Sequence, residues 1–304
     1  MGNVARRRIG PSAGAAARRR SSPRTAFVLS GGASLGALQV GMLQALYEFG
    51  IEPDLLVGTS AGALNAAFIA SRPQSPATAA QLARIWRGLQ REDVFPVSMS
   101  ALVGGVCGRR DHLVRGHGLR RLVRRYIEFD ELTDASIPVH VVAFDVTECR
   151  ELLLSTGPAI EVVTAAASIP GVFPPVRIGE RELIDGGVVN NTPISHAVEL
   201  GAERIFVLPT QDPAATPKRV VRSALDAAIY GIGLLVGSRL RSDIARYSRD
   251  AELIVLPAPD TSGVQPTNFE HSTRLMSEAL AAARATLARP TGAGHPRAAT
   301  GAGA

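Results

Sequence analysis

The sequence holds 304 residues, 46% of them hydrophobic and 5% aromatic, a balance that supports a substantial core and suits one large α/β domain or two small ones. Its net charge of +6 comes from a leader: residues 1–24 carry seven arginines (Arg6, Arg7, Arg8, Arg18, Arg19, Arg20, Arg24) and no acid, leaving 26 basic against 27 acidic side chains beyond it. A neutral body with a basic arm argues against a dedicated nucleic-acid-binding fold, and two distant cysteines, Cys107 and Cys149, imply neither a disulfide framework nor a zinc site and fit a reducing, cytoplasmic compartment.

Residues 1–24 show no apolar periodicity and read as a disordered arm. The charge-free run over 25–47 follows arginines, as a signal-anchor would. Gly31, Gly32, Gly36 and the polar Ser30, Ser34, Gln39 and Gln44 interrupt it, which favours a buried strand, loop and helix. The strand covers 26–29, the glycine-rich turn 30–36 and the helix 37–49, where Leu38, Met42, Leu43, Leu46 and Phe49 recur at helical spacing before Gly50. A second unit of the same kind follows: Leu55-Leu56-Val57, the turn Gly58-Thr59-Ser60-Ala61-Gly62, and a small-residue helix to Ala70. Two successive βα units imply a parallel sheet with right-handed crossovers and both turns on one sheet edge.

A helix carrying Trp86 spans 78–89, and residues 91–118 read as an irregular surface segment. The helix over 119–127 is amphipathic, with Arg120, Arg121, Arg124 and Arg125 on its solvated face. A buried strand covers 139–144, with a neighbour at 151–154, and a helix spans 160–168. Strand-like pieces at 176–178 and 182–184 lead into Asp185-Gly186-Gly187, and Thr192-Pro193 opens another helix as cap and first residue. After a strand at 204–208, residues 220–247 are mostly helical; within them the charge-free stretch 227–238 is too short to span a bilayer and reads as a buried helix, with a lipid-facing surface as the alternative. A strand at 253–256 and a helix at 269–287 complete the body, placing it at 25–289 with a Gly/Ala/Pro tail over 290–304.

Three loops at strand ends can carry chemistry. The Ser60 turn has the Gly-X-Ser-X-Gly form, whose small residues allow a sharp strand-to-helix reversal that exposes a serine hydroxyl at a helix N-terminus. The pattern is equally that of a structural turn. The glycine turn offers consecutive N–H groups opening a helix, an anion site that could stabilise an oxyanion, or simply a tight turn. It lacks the Lys-Ser/Thr of a phosphate loop and the dinucleotide glycine spacing. As a base for Ser60, His196 and His271 follow Asp185 but sit in helices, and His112, His117 and His140 precede it. Asp185 is better placed, at a strand end followed by two glycines.

The stretches LSGGASLGALQVGML, GTSAGALNAA and AAASIPGVFPPV followed by LIDGGVVNNTPI together resemble the patatin-like phospholipase family across residues 25–287. That resemblance implies a three-layer α/β/α sandwich on a mostly parallel sheet and a serine lipid acyl hydrolase of phospholipase or esterase type. It implies Ser60 as nucleophile, Asp185 as base and an oxyanion hole from Gly31, Gly32, Ala33, Ser34 and Gly36, with N–H groups of Gly32 and Ala33 as donors. Gly58 and Gly62 frame the nucleophile elbow, Gly186 and Gly187 support Asp185, and Asn65 and Asn191 brace loops. No cofactor or metal is required. The partners implied are a lipid or acyl-ester substrate and a membrane touched peripherally, with no specific nucleic acid. Acyl transfer and a non-catalytic lipid-binding scaffold are the alternative functions. Ala33 and Leu35 depart from the family's Gly-Gly-Gly-X-Arg/Lys-Gly turn: positive φ would strain Ala33, and Leu35 removes a cation, which favours neutral acyl esters.

Overall fold

Thr25–Leu29 reads TAFVL with every residue buried, as an interior strand of a parallel sheet covered on both faces requires. The computed structural model describes residues 22–95, 114, 116–214 and 224–289. Eight strands form one sheet: β1 (Thr25–Leu29), β2 (Leu55–Thr59), β3 (Val139–Asp145), β4 (Arg150–Leu154), β5 (Val176–Ile178), β6 (Arg181–Asp185), β7 (Arg204–Leu208) and β8 (Glu252–Val255). The helices among the described residues are α1 (Ala37–Glu48), α2 (Ala61–Ala70), α3 (Pro76–Gly88), α4 (Arg91–Val94), α5 (His117–Tyr126), α6 (Ala159–Ala166), α7 (Ile194–Glu199), α8 (Ala224–Tyr247) and α9 (Ser272–Leu287).

The strand order is β5-β6-β3-β2-β1-β7-β8, with β4 also on β3. The run β3-β2-β1-β7-β8 is parallel throughout, and the antiparallel pairings gather at the β5–β6 end. Alternate side chains point to opposite faces. Phe27, Leu29, Leu56, Phe206 and Leu208 join the larger core with α1, α2, α3, α6 and α9. Ala26, Val28, Leu55, Val57, Ile205 and Val207 join a smaller core beneath α7 and the C-terminal half of α8. The result is the expected three-layer α/β/α arrangement.

Local pattern and observed structure differ at several points. Thr192 does not cap α7: Pro193 is its N-cap, the helix begins at Ile194, and the Thr192 hydroxyl pairs instead with Ser30 Oγ (2.8 Å). Residues 91–118 contain the short α4 and the start of α5 at His117, while 96–113 and 115 lie outside the described residues. The leader up to residue 21 and the tail from 290 also lie outside them; Arg24, counted with the leader, already joins the fold through its carbonyl, which accepts from Glu203 N–H (2.9 Å). Within the stretch 227–238, residues 230–236 are not buried. Ile232 is 61% and Leu235 72% exposed, because that half of α8 extends past the sheet that covers Leu240.

Candidate active site

Strand β3 sets the position of the site. β4 pairs with residues 141–145 along one edge of it, so the other edge must serve both β2, opposite 139–142, and β6, opposite 143–145. β2 runs parallel to β3 and β6 antiparallel, so their C-terminal ends meet head to head. Thr59 stands opposite Val142, and Asp185 stands opposite the next residue, Ala143. Ser60 and Asp185 are neighbours for that reason.

Ser60 turns the chain from β2 into α2 with φ 55° and ψ −125°, a conformation that costs a non-glycine residue about 1–3 kcal/mol. Its N–H donates to the Ala166 carbonyl (3.0 Å) and its carbonyl accepts from Ala63 N–H (2.9 Å), which pins both sides of the apex. The turn closes tightly. A Cβ on Gly58 would lie 2.6 Å from the Gly62 carbonyl oxygen, and one on Gly62 only 2.1 Å from that of Leu29. Gly62→Val is therefore expected to lower stability by roughly 3 kcal/mol or more in urea denaturation, or to prevent folding. An unchanged midpoint would mean that α2 stands off from β1.

Asp185 is buried at the end of β6. Its N–H donates to the Ser168 carbonyl (2.9 Å), and its Oδ1 accepts from Gly187 N–H (2.8 Å). Gly186 lies against the β3 backbone, where a Cβ would meet Val142 C at 2.6 Å. The Ser60 side chain stands beside the Asp185 carboxylate. Burial dominates the proton balance and raises the Asp185 pKa from 3.8 to about 6, while the bonds from Ser60 and Gly187 pull it down. The last residue of α6 and the turn after it thus hold both groups, Ala166 on the Ser60 N–H and Ser168 on that of Asp185. Nothing in the local pattern of residues 166–168 announces this, since carbonyls carry no sequence signal.

In the glycine turn, Gly31 N–H donates to the Asn191 carbonyl (3.0 Å) and Ser34 N–H to that of Pro266 (2.9 Å). Those two donors are committed within the protein. Gly32 and Ala33 N–H have no protein acceptor among the described residues. Ala33 carries the anticipated strain, with φ 49°, and shares a cavity wall with Ser60. Gly36 closes the turn with its carbonyl on Asn65 Nδ2 (3.1 Å).

A buried polar network fixes this turn. Asn65 Nδ2 also donates to Gln39 Oε1 (2.8 Å), and Asn65 Oδ1 accepts from Trp86 Nε1 (2.9 Å). Gln39 Nε2 in turn donates to the carbonyls of Ser30 (2.7 Å) and Leu208 (3.1 Å). From the other side, Asn191 Nδ2 (3.2 Å) and Thr210 Oγ1 (2.5 Å) donate to the Gly31 carbonyl. Asn65 and Asn191 are thus braces. The parts played by Gln39, Trp86 and Thr210 were not legible in the sequence, although a glutamine inside an apolar helix face was a usable signal. Asn65→Ala strands several buried groups and is expected to cost about 3 kcal/mol in denaturant titration. A loss below about 0.5 kcal/mol would show that water replaces it freely.

Ser60 and Ala33 open onto a narrow cavity of about 80 Å³ whose other walls are almost wholly apolar: Leu64, Phe68, Ile85, Leu122, Phe173 and Phe269 among them. Helix α5 lays its apolar face along this cavity and leaves Arg121, Arg124 and Arg125 exposed outside. Among the described residues no histidine lines it. His196 instead pairs with Glu151 (2.6 Å) and Glu199 (3.1 Å); burial disfavours its proton, but the two carboxylates outweigh that and raise its pKa. His140 bonds Ser155 Oγ (2.7 Å) and is held below its ordinary pKa, chiefly by burial. His117 opens α5, His271 precedes α9 and His112 lies outside the described residues. Among the described residues no cluster of His, Cys, Asp or Glu is arranged to hold a metal ion, and no helix is long and apolar enough to cross a membrane.

Comparison with known proteins gives this geometry a context. The model of the patatin-like phospholipase family matches residues 27–198, which include both Ser60 and Asp185. An uncharacterized NTE family protein of Mycobacterium tuberculosis is 30% identical over 297 residues, covering 90% of this chain and 48% of that protein. The lysophospholipase NTE1 of Mycosarcoma maydis is 27% identical over 199 residues, 63% of this chain and 10% of its own. The chain therefore spans about half the length of the mycobacterial relative and a tenth of the fungal one. Among solved structures, VipD from Legionella pneumophila aligns with a TM-score of 0.47 at 14% identity, covering 88% of this chain and 67% of that one. With more than half of its length matched by the family model and the strained serine turn in place, the chain belongs to the patatin-like phospholipase family.

Proposed function

We propose that the protein is a serine acyl hydrolase that cleaves fatty acyl esters of lipids through a Ser60–Asp185 dyad and a covalent acyl-enzyme. The observation that carries this reading is the Ser60 hydroxyl beside a buried carboxylate, opening onto an apolar cavity next to two backbone N–H groups that have no acceptor among the described residues. Ser60 Oγ attacks the ester carbonyl carbon while its proton passes to Asp185, and Gly32 and Ala33 N–H donate to the oxyanion. The tetrahedral species collapses as Asp185 returns the proton to the departing alcohol. Water then adds to the acyl-enzyme, giving a proton to Asp185, and Ser60 leaves with that proton as the fatty acid departs. A carboxyl near its ordinary pKa is a weak base; desolvation to about 6 makes Asp185 a stronger one that is still ionised at neutral pH.

The apolar cavity suits an acyl chain, and the fungal relative's description as a lysophospholipase supports a lipid with one chain to cleave. Covalent labelling by a fluorophosphonate probe, located on Ser60 by peptide mass spectrometry, tests the reading together with release of fatty acid from a short-chain ester. A folded protein that takes up no label and releases no acid is not this enzyme.

A further inference from the structure

The N-terminal half of α8 breaks the rule that a large apolar side chain on a helix finds something to cover it. From Tyr230 to Ser238 the helix reads YGIGLLVGS without a charge; Ile232 is 61%, Leu234 40% and Leu235 72% exposed. Further along, the same helix is ordinary, with Leu240 buried and Ile244 and Tyr247 packed on the smaller core. Contiguous exposed apolar surface of this kind marks a contact with something other than water.

The direction of the strip is fixed by its neighbours. Gln211, three residues past the end of β7, lies beside Gly237, so that a Cβ there would meet Gln211 Nε2 at 3.3 Å, and Arg241 Nη1 donates to the Pro213 carbonyl (3.3 Å). Residues 230–236 therefore project beyond the C-terminal end of β7, by roughly 10 Å at 1.5 Å per residue. β1, β2 and β7 are parallel, so this is the sheet edge that carries the glycine turn after β1 and Ser60 after β2. Thr210, bonded to the Gly31 carbonyl, ties the loop at the foot of the strip to that turn.

We propose that Ile232, Leu234 and Leu235 insert into the surface of a lipid bilayer and so present the Ser60 face to it. This rests on the acyl-hydrolase reading for its purpose. Charge favours a bilayer: along one helix face Ile232 and Leu235 are followed by Arg239, which also pairs with Asp243 (3.2 Å), and along the adjacent face Leu234 is followed by Arg241, both arginines exposed. An apolar tip with guanidinium groups one and two turns behind it matches hydrocarbon above a layer of phosphate headgroups. A second copy of the chain is a poorer fit. A single exposed strip two to three turns long offers much less than the roughly 800 Å² per partner of a stable dimer.

The test uses the full chain with vesicles of phosphatidylcholine alone and of phosphatidylcholine mixed with phosphatidylglycerol. The wild type is expected to cosediment with both, more strongly with the anionic mixture. Leu235→Glu and the milder Ile232→Ser are expected to weaken partitioning roughly tenfold or more while leaving Tm and hydrolysis of a soluble short-chain ester unchanged. Leu235→Trp, seen against the constant signal of the buried Trp86, is expected to shift to the blue when vesicles are added. Wild-type binding by Leu235→Glu overturns the proposal. So does a Leu235→Trp emission already blue without vesicles, because the strip is then covered by another copy or by this chain. If no ester is cleaved by any variant, the hydrolase reading falls, and vesicle binding still decides this one.

Discussion

Ser60→Ala is expected to remove ester hydrolysis by roughly 10⁴-fold or more and to abolish fluorophosphonate labelling. The size follows from what remains. Without Oγ there is no acyl-enzyme, and the Gly32 and Ala33 N–H groups can polarise a carbonyl but have no positioned nucleophile to serve. Alanine retains the Cβ and is shorter by one atom, so the 55° φ at position 60 is no worse tolerated and the fold should hold. The measurement is kcat/KM on a soluble ester beside the circular dichroism spectrum and Tm of the same preparation. Substantial hydrolysis by folded Ser60→Ala protein would move the chemistry away from the elbow altogether.

Asp185→Asn is expected to lose activity and gain stability at once. The folded state holds the Asp185 proton up to about pH 6, whereas the unfolded chain releases it near 3.8. Between those values the folded form binds more protons than the unfolded one, so stability falls as pH rises through that window. Above about 6 the full cost of an ionised buried carboxylate is present, on the order of 3 kcal/mol. An amide in the same place carries no charge to desolvate and its oxygen can still accept from Gly187 N–H. Denaturation at pH 8 should therefore show Asp185→Asn the more stable, with the difference vanishing toward pH 4. Wild-type kcat/KM should rise with pH and level off above about 6, as the carboxylate that accepts the Ser60 proton becomes ionised. A flat profile from pH 5 to 8, or an asparagine variant less stable at both ends, would contradict a desolvated base at this position.

The trade between these two results has a structural root. Ser60 and Ala33 both sit at positive φ and Asp185 is a carboxylate with little water around it, so three unfavourable features meet within one small volume. They are held by dense bonding around them: Asn65, Gln39, Asn191 and Thr210 on the turn, Ala166 on Ser60 and Ser168 on Asp185.

Much of this was readable from the chain alone, because it is local. A run such as Ala26–Leu29 can be little else than a buried strand, small residues on either side of Ser60 permit a sharp reversal whatever surrounds them, and paired βα units dictate a parallel sheet with both turns at one edge. What depends on distant partners was not readable. The head-on meeting of β2 and β6 along a shared edge of β3 arises from strand order. The division of the glycine turn into committed donors (Gly31, Ser34) and uncommitted ones (Gly32, Ala33) arises from where Asn191 and Pro266 come to rest. The charge-free stretch 227–238 of α8 looked like core by composition, yet whether an apolar helix is covered depends on what the rest of the chain sets beside it. Backbone conformation is chosen by neighbours in sequence; hydrogen-bond partners and burial are chosen by neighbours in space.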